Sequence, residues 1–351
     1  MKRDHGSRTS THPATVIDFS SNVNCFGPPA CALEAVRCCP EDCIASYPDP
    51  SYPELKDALA RYTGRRPEEL FPANGSVEIF YWLCYSMRPR QVLTIAPCFC
   101  EYPLAARAAG ASVQEHLLTP ADGFEMDLRR VCEQAAGADL VFACNPASPT
   151  GRLYPRDAIL SIAEAMRAGS VLLLDEAFMD FCEQANSATV LDDISDGVWV
   201  SRSLTKFFSL AGLRAGYLVA PPDVIKRLEL TAPPWRVNSV AARAATAALS
   251  DSAFIESVPG RMATERDNLS AMLARVGLKP FPSAANFLLV ELPQRFPDSR
   301  TLAGMLLARG FLVRDASTFQ GLSDRFVRIA VRTGPENEAL ASALDEIAGN
   351  R

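Results

Sequence analysis

The chain has 351 residues, 48% of them hydrophobic and 22% charged, which excludes a disordered or fibrous protein and leaves room for two cores. A formal net charge of -6 at pH 7, with no long run of one sign, argues against a nucleic-acid groove or an anionic membrane surface and leaves a small molecule as the default partner. The polar N-terminus lacks the apolar stretch of a signal peptide, and no later apolar run reaches the length of a membrane span, so a cytoplasmic protein is expected.

Near the N-terminus, Tyr47-Pro48-Asp49-Pro50, in segment 46–55, reads locally as a turn. From about residue 70 to 221, short apolar runs alternate with amphipathic helical segments, the pattern of an α/β fold with a mainly parallel sheet covered on both faces. Strands are expected at Gln91 to Ala96, Asp139 to Ala143, Val171 to Asp175, Val198 to Ser201 and Ala215 to Val219. Polar residues cluster at their ends, where ligands of open α/β sheets bind. Beyond about 240 a helical stretch is followed by separate strand-like pieces, Asn286 to Glu291, Phe311 to Arg314 and Phe326 to Arg332, suggesting a smaller α+β domain. In the last piece, period-2 geometry puts Val327, Ile329 and Val331 on one face and Arg328 with Arg332 on the other. The eleven cysteines are scattered or irregularly clustered, as at Cys38, Cys39 and Cys43, and are expected to be reduced thiols. His5, His12 and His116 are too dispersed for a metal site, and none is expected; His116 reads as a surface or strand residue.

The strongest local signal is segment 201–217, where Lys206 has Ser203 three residues before it and Arg214 eight after. A pyridoxal phosphate (PLP) enzyme needs an amine for the cofactor aldehyde, and hydroxyl and cationic groups for its phosphate. Leu204, Phe207, Phe208 and Leu210 make the segment too apolar for a basic surface helix. Together with segments 18–29, 46–55 and 233–238, it resembles the aspartate aminotransferase superfamily over nearly the whole chain, in the histidinol-phosphate aminotransferase branch and most closely among the threonine-phosphate decarboxylases.

This resemblance implies a fold type I PLP-dependent transferase. A mainly parallel seven-stranded sheet would form a large domain over 36–240, a smaller α+β domain would cover 241–351, and an arm, 1–35, would join the small domain. It implies Lys206 as the residue that carries PLP as a Schiff base and Asp175 as the partner of the pyridine nitrogen. Asn74, Gly75, Ser76 and Val77 match the turn that offers amides to the cofactor phosphate, with Ser203 and Arg214 as further phosphate contacts, and Phe99 matches the aromatic that stacks on the ring. Ser148 stands where an asparagine usually bonds the cofactor's phenolic oxygen, and Phe178 where most aminotransferases have a tyrosine, a feature shared with the decarboxylases. Tyr47 matches a tyrosine that reaches the phosphate of the neighbouring subunit, implying a homodimer with a shared active site. On the substrate side, Asn22 matches a binding residue, Arg328 the carboxylate-binding arginine, and Arg314 is a second cation for a second anion; Trp235 and Asn238 are candidate pocket walls.

The reaction depends on which α-carbon bond stands perpendicular to the cofactor ring, a torsion the sequence does not display. The resemblance implies decarboxylation of L-threonine O-3-phosphate to (R)-1-aminopropan-2-yl phosphate, precursor of the cobalamin linker. The alternatives are a histidinol-phosphate-type aminotransferase and a decarboxylase of another phosphorylated or phosphonate amino acid. His5 to Arg8 only partly resembles the decarboxylases' His-Gly-Gly-Asn. A non-catalytic PLP-binding regulator is disfavoured because no DNA-binding domain is attached.

Overall fold

The computed structural model describes residues 6–7, 12 and 15–349. His5 and Arg8, named above, lie outside the described residues.

Thirteen strands are described: β1 (Ile17–Asp18), β2 (Leu70–Ala73), β3 (Gln91–Ala96), β4 (Ser112–Leu117), β5 (Leu140–Cys144), β6 (Val171–Asp175), β7 (Val198–Ser203), β8 (Gly216–Val219), β9 (Lys279–Pro280), β10 (Phe287–Glu291), β11 (Phe311–Leu312), β12 (Arg314–Asp315) and β13 (Phe326–Ala330). Seven form one sheet in the order β2-β8-β7-β6-β5-β3-β4. Within it β8 runs antiparallel to both neighbours, and every other pairing is parallel. The expected strands are present, with bounds moved by a residue or two.

β2 and β4 escape a reading by apolar runs because both are edge strands. β2 is four residues long and contains Pro72, whose missing N–H is tolerated at an edge. β4 carries Ser112, Gln114 and Glu115, as one solvent-facing edge permits. His116 lies in β4, where it is buried and its Nδ1 is 2.8 Å from Gln134 Oε1.

The central strands are buried on both faces, and their side chains alternate between two cores. Val141, Leu172, Leu174 and Val200 enter one, while Leu140, Phe142, Val171 and Leu173 enter the other. The first core continues through Phe287, Leu289, Val327 and Ile329 into the smaller sheet, ordered β12-β13-β10-β9 and antiparallel throughout. Each fully buried Leu or Val contributes about 1.5–3 kcal/mol, so this shared core fastens the two sheets together. β1 pairs in parallel with β11, bringing the N-terminal arm beside the smaller sheet.

The piece expected as one strand from Phe311 to Arg314 is divided at Val313: β11 serves β1, and β12 turns to β13. β13 stops at Ala330, short of Arg332. Arg332 donates to Asp18 O at 3.3 Å and to Glu336 Oε1 at 2.8 Å, so it braces the arm and the start of the last helix, Gly334–Ile347. Among the described residues no helix is long and apolar enough to cross a membrane.

Candidate active site

Parallel strands end on the same edge of a sheet, and the polar residues singled out above gather there. Asp175 and Ser203 are the last residues of β6 and β7; Phe99 and Ser148 follow the ends of β3 and β5. β2 points the same way as β7, since β8 is antiparallel to both, so Ala73 delivers Asn74, Gly75 and Ser76 to this edge. The reversed β8 begins here, immediately after Arg214 and Ala215.

Lys206 lies on a short helix, Leu204–Phe207, started by Ser203. Partly shielded in the cleft, its amine is brought down to about 8 by desolvation, with Arg328 and Arg214 adding to the shift and Asp175 opposing it. An amine in that range keeps a useful neutral fraction near pH 7. The arm holds this helix from outside. Asn24 N donates to Lys206 O at 3.0 Å, Asn24 Nδ2 to Phe207 O at 2.8 Å, and Ser209 Oγ to Asn24 O at 2.8 Å. Asn22 is buried nearby in sequence, and among the described residues its Oδ1 has no hydrogen-bond partner.

Asp175 is buried at the bottom of the cleft, where desolvation raises its carboxyl to about 6 against the opposing pull of three hydrogen bonds. Tyr102 Oη donates to Oδ2 at 2.6 Å; Ser201 Oγ and Ala177 N donate to Oδ1 at 3.2 and 3.1 Å. Tyr102 and Ser201 were not singled out by sequence. Ser201 becomes a partner only through the β6–β7 register, which pairs it with Asp175. Tyr102 comes from the helix Glu101–Ala108; its ring stacks on Phe142 at 5.2 Å, and Phe99 packs edge-on against it at 5.7 Å.

One end of the cleft is made by backbone. Helix Ser76–Met87 begins with first-turn amides that have no carbonyl within the helix to bond. Gly75 precedes it at φ 78°, and a Cβ there would lie 2.5 Å from Arg214 Nη2. Gly216 is equally constrained, since a Cβ would lie 2.7 Å from Ser76 N. These glycines let the amide turn, Arg214 and the end of β7 close on one another. Ser203 Oγ is 2.6 Å from Thr205 Oγ1, a second buried hydroxyl that the sequence reading passed over.

The smaller sheet carries the arginines. Arg314 and Arg328 are direct partners across β12 and β13, and both are buried. Arg328 donates through Nη2 to Ser20 O at 2.9 Å and through Nη1 to Ser148 Oγ at 3.4 Å, and its guanidinium lies 5.4 Å from the centre of the Phe287 ring. Phe178 packs edge-on against Phe287 at 5.0 Å. Ser148, Phe178 and Arg328 thus form one continuous surface.

Two expected residues, Tyr47 and Trp235, lie exposed against each other. Tyr47 is 79% exposed, stacked on Trp235 at 4.2 Å, and has no described contact with the cluster around Lys206. Asn238, expected as a pocket wall, caps the helix Ser239–Leu249, its Oδ1 accepting from Ala241 N at 2.8 Å, while its Nδ2 donates to Leu213 O, beside Arg214, at 3.4 Å. Glu176, beside Asp175, faces away from the cleft and pairs with Arg202 Nη2 at 2.7 Å; Arg202 also binds Asp180 at 2.9 Å.

The model of aminotransferase class I and II matches residues 14–347. The chain belongs to that family. It is 32% identical over 338 residues to the threonine-phosphate decarboxylase of Salmonella typhimurium, covering 95% of this chain and 92% of that one. The structure of L-threonine-O-3-phosphate decarboxylase from Porphyromonas gingivalis superposes with a TM-score of 0.82 at 26% identity, covering 93% of this chain and 98% of that one. Histidinol-phosphate aminotransferase from Sinorhizobium meliloti, solved in complex with pyridoxal-5'-phosphate, superposes with a TM-score of 0.83 at 25% identity, covering 94% and 90%. The fold is therefore that of the fold type I PLP enzymes, with the large mixed sheet and the smaller antiparallel sheet described above.

The donor set fits this cofactor. A neutral-prone amine for an aldehyde, a buried carboxylate for a ring nitrogen and, for a phosphate, the first-turn amides of helix Ser76–Met87 with an arginine are gathered at one edge of the sheet.

Proposed function

We propose that this chain is a PLP-dependent carboxy-lyase that converts L-threonine O-3-phosphate to (R)-1-aminopropan-2-yl phosphate and carbon dioxide, supplying the aminopropanol linker of cobalamin. The observation that carries the substrate class is the facing pair of buried arginines, Arg314 and Arg328. One carboxylate and one further anion suit two such cations. The similarity to threonine-phosphate decarboxylase over 95% of the chain supports the same reading.

PLP bound here supplies an aldehyde for an amine and a protonated pyridine ring that accepts the electron pair of a bond broken at the substrate α-carbon. The protein's own groups do the rest. Asp175, as a carboxylate steadied by Tyr102 and Ser201, holds the proton on the ring nitrogen. The amides of Ser76 and Val77, with Ser203 and Arg214, would take the cofactor phosphate, and Phe99 would lie against the ring. Ser148 would offer a short hydroxyl to the phenolic oxygen and Phe178 none, so that oxygen would be held loosely. Arg328 and Asn22 fix the substrate carboxylate, and Arg314 takes the phosphate. With PLP bound, Lys206 would be the group that delivers a proton to the substrate α-carbon after carbon dioxide has left; an amine brought down to about 8 is suited to moving a proton near neutrality.

The assembly in this reading is a homodimer in which Tyr47 of each chain reaches the phosphate site of the other, supported by the exposed Tyr47–Trp235 stack. The arm 1–35 works with the small domain 241–351, and 36–240 is the cofactor domain; the β1–β11 pairing supports the first association.

The test is incubation of the PLP-loaded protein with L-threonine O-3-phosphate and no keto acid. Carbon dioxide and amine phosphate released in equal amounts over many turnovers support the proposal. No carbon dioxide, with amino transfer from histidinol phosphate to a keto acid, replaces it with an aminotransferase.

A further inference from the structure

Two like charges directly opposite each other on paired strands repel, and Arg314 and Arg328 are so placed. Their guanidinium groups share one ring. The centre of Phe319 is 5.3 Å from the Arg314 guanidinium carbon and 5.8 Å from that of Arg328, distances at which an aromatic face attracts a cation. Phe319 follows a short turn, Ala316–Thr318, that is itself pinned. Asp315 Oδ1 accepts from Ser317 N at 2.9 Å and from Ser299 Oγ at 2.6 Å, tying the turn to the helix Ser299–Leu307. Thr318 Oγ1 then accepts from Arg314 Nη2 at 2.8 Å, while Arg328 is tied separately to Ser20 O at 2.9 Å. Each cation therefore has its own polar tether, and the two have one aromatic face in common.

We propose that Phe319 and Thr318 are positioning residues that set the spacing of the two guanidinium groups, and that this spacing selects amino acids bearing a second, dianionic group over those with a carboxylate alone. The inference rests on the function proposed above and adds the element that fixes its selectivity. Phe319 touches both cations, so its loss disturbs the pair; Thr318 is hydrogen-bonded to Arg314, so its loss disturbs the second-anion subsite.

The test uses the PLP-loaded full chain, titrated with L-threonine O-3-phosphate and with L-threonine while the cofactor absorbance is followed. Phe319→Leu is expected to weaken binding of the phosphorylated ligand about tenfold and of L-threonine about threefold or less, since desolvated cation–ring contacts have that size. Once substrate is saturating, kcat stays within about twofold, Phe319→Tyr restores the affinity, and cofactor affinity and melting temperature hold, which a packing defect would not give. Thr318→Val, which keeps the side-chain shape, is expected to weaken the phosphorylated ligand alone, with rescue by Thr318→Ser. Equal losses for both ligands, or wild-type affinities in Phe319→Leu, would overturn the proposal. Binding by the wild type without carbon dioxide release sinks the decarboxylase reading and leaves the spacing claim to be judged by the same affinities.

Discussion

Replacing Tyr102 by phenylalanine removes one hydroxyl from the bottom of the cleft and leaves the ring stack on Phe142 in place. That hydroxyl donates a 2.6 Å hydrogen bond to Asp175, whose carboxyl already stands at about 6 because burial outweighs its hydrogen bonds. A hydrogen bond to a charged group is worth about 1.5–3 kcal/mol, or roughly one to two pKa units at about 1.4 kcal/mol each. Without it the carboxyl should rise to roughly 7–8, and its ionised fraction at pH 7 should fall from about nine-tenths to between a half and a tenth. A protonated Asp175 no longer favours a proton on the ring nitrogen. The assay is PLP affinity of the cofactor-free protein as a function of pH, for wild type and Tyr102→Phe. The acid-side loss of affinity should move up by one to two pH units in the variant, and the two proteins should converge at alkaline pH. An unmoved acid limb would refute the claim that Tyr102 keeps Asp175 ionised.

Asp175→Asn should stabilise the cofactor-free protein at pH 7 while destroying activity. The folded-state value of about 6 lies above the ordinary 3.8, so the burial penalty is absent below about pH 4, grows as pH rises, and is complete above about 6. Two units amount to about 3 kcal/mol, so the variant should melt higher at pH 7 and match wild type near pH 4; a variant that melts lower at pH 7 would show that the asparagine loses more in hydrogen bonds than it saves in charge. Arg202→Met should cost about 3–5 kcal/mol in denaturant unfolding, because Glu176 and Asp180 would remain buried without their cation; a loss under about 1 kcal/mol would contradict that. Arg314→Ala should raise KM for L-threonine O-3-phosphate roughly tenfold to a hundredfold with PLP affinity unchanged, and an unchanged substrate profile would remove Arg314 from the site.

The parallel core was legible because its strands are buried on both faces and therefore read as unbroken apolar runs; Gln91–Ala96 and Val171–Asp175 are the clear cases. The edge strands were not, since Pro72 and the polar residues of Ser112–Leu117 are permitted only by what lies beside them. In the cleft, Lys206, Ser203 and Arg214 announce themselves within one segment. Residues whose part depends on register or packing do not. Ser201 matters because β6 and β7 pair it with Asp175, Tyr102 because a helix turns its hydroxyl inward, and Phe319 because two strands bring two arginines to one ring. Asn24, which ties the arm to the backbone of Lys206 and Phe207 across more than 180 residues, has no local signature at all.

The claim on which the rest depends is that Lys206 is the amine that takes the cofactor aldehyde. Hydride reduction of the PLP-loaded protein, followed by digestion and peptide mass spectrometry, tests it directly. A pyridoxyl phosphate mass on the peptide carrying Lys206, absent from Lys206→Ala together with the visible cofactor absorbance, is the expected result. The adduct on another lysine, or an unchanged absorbance in Lys206→Ala, would contradict the account.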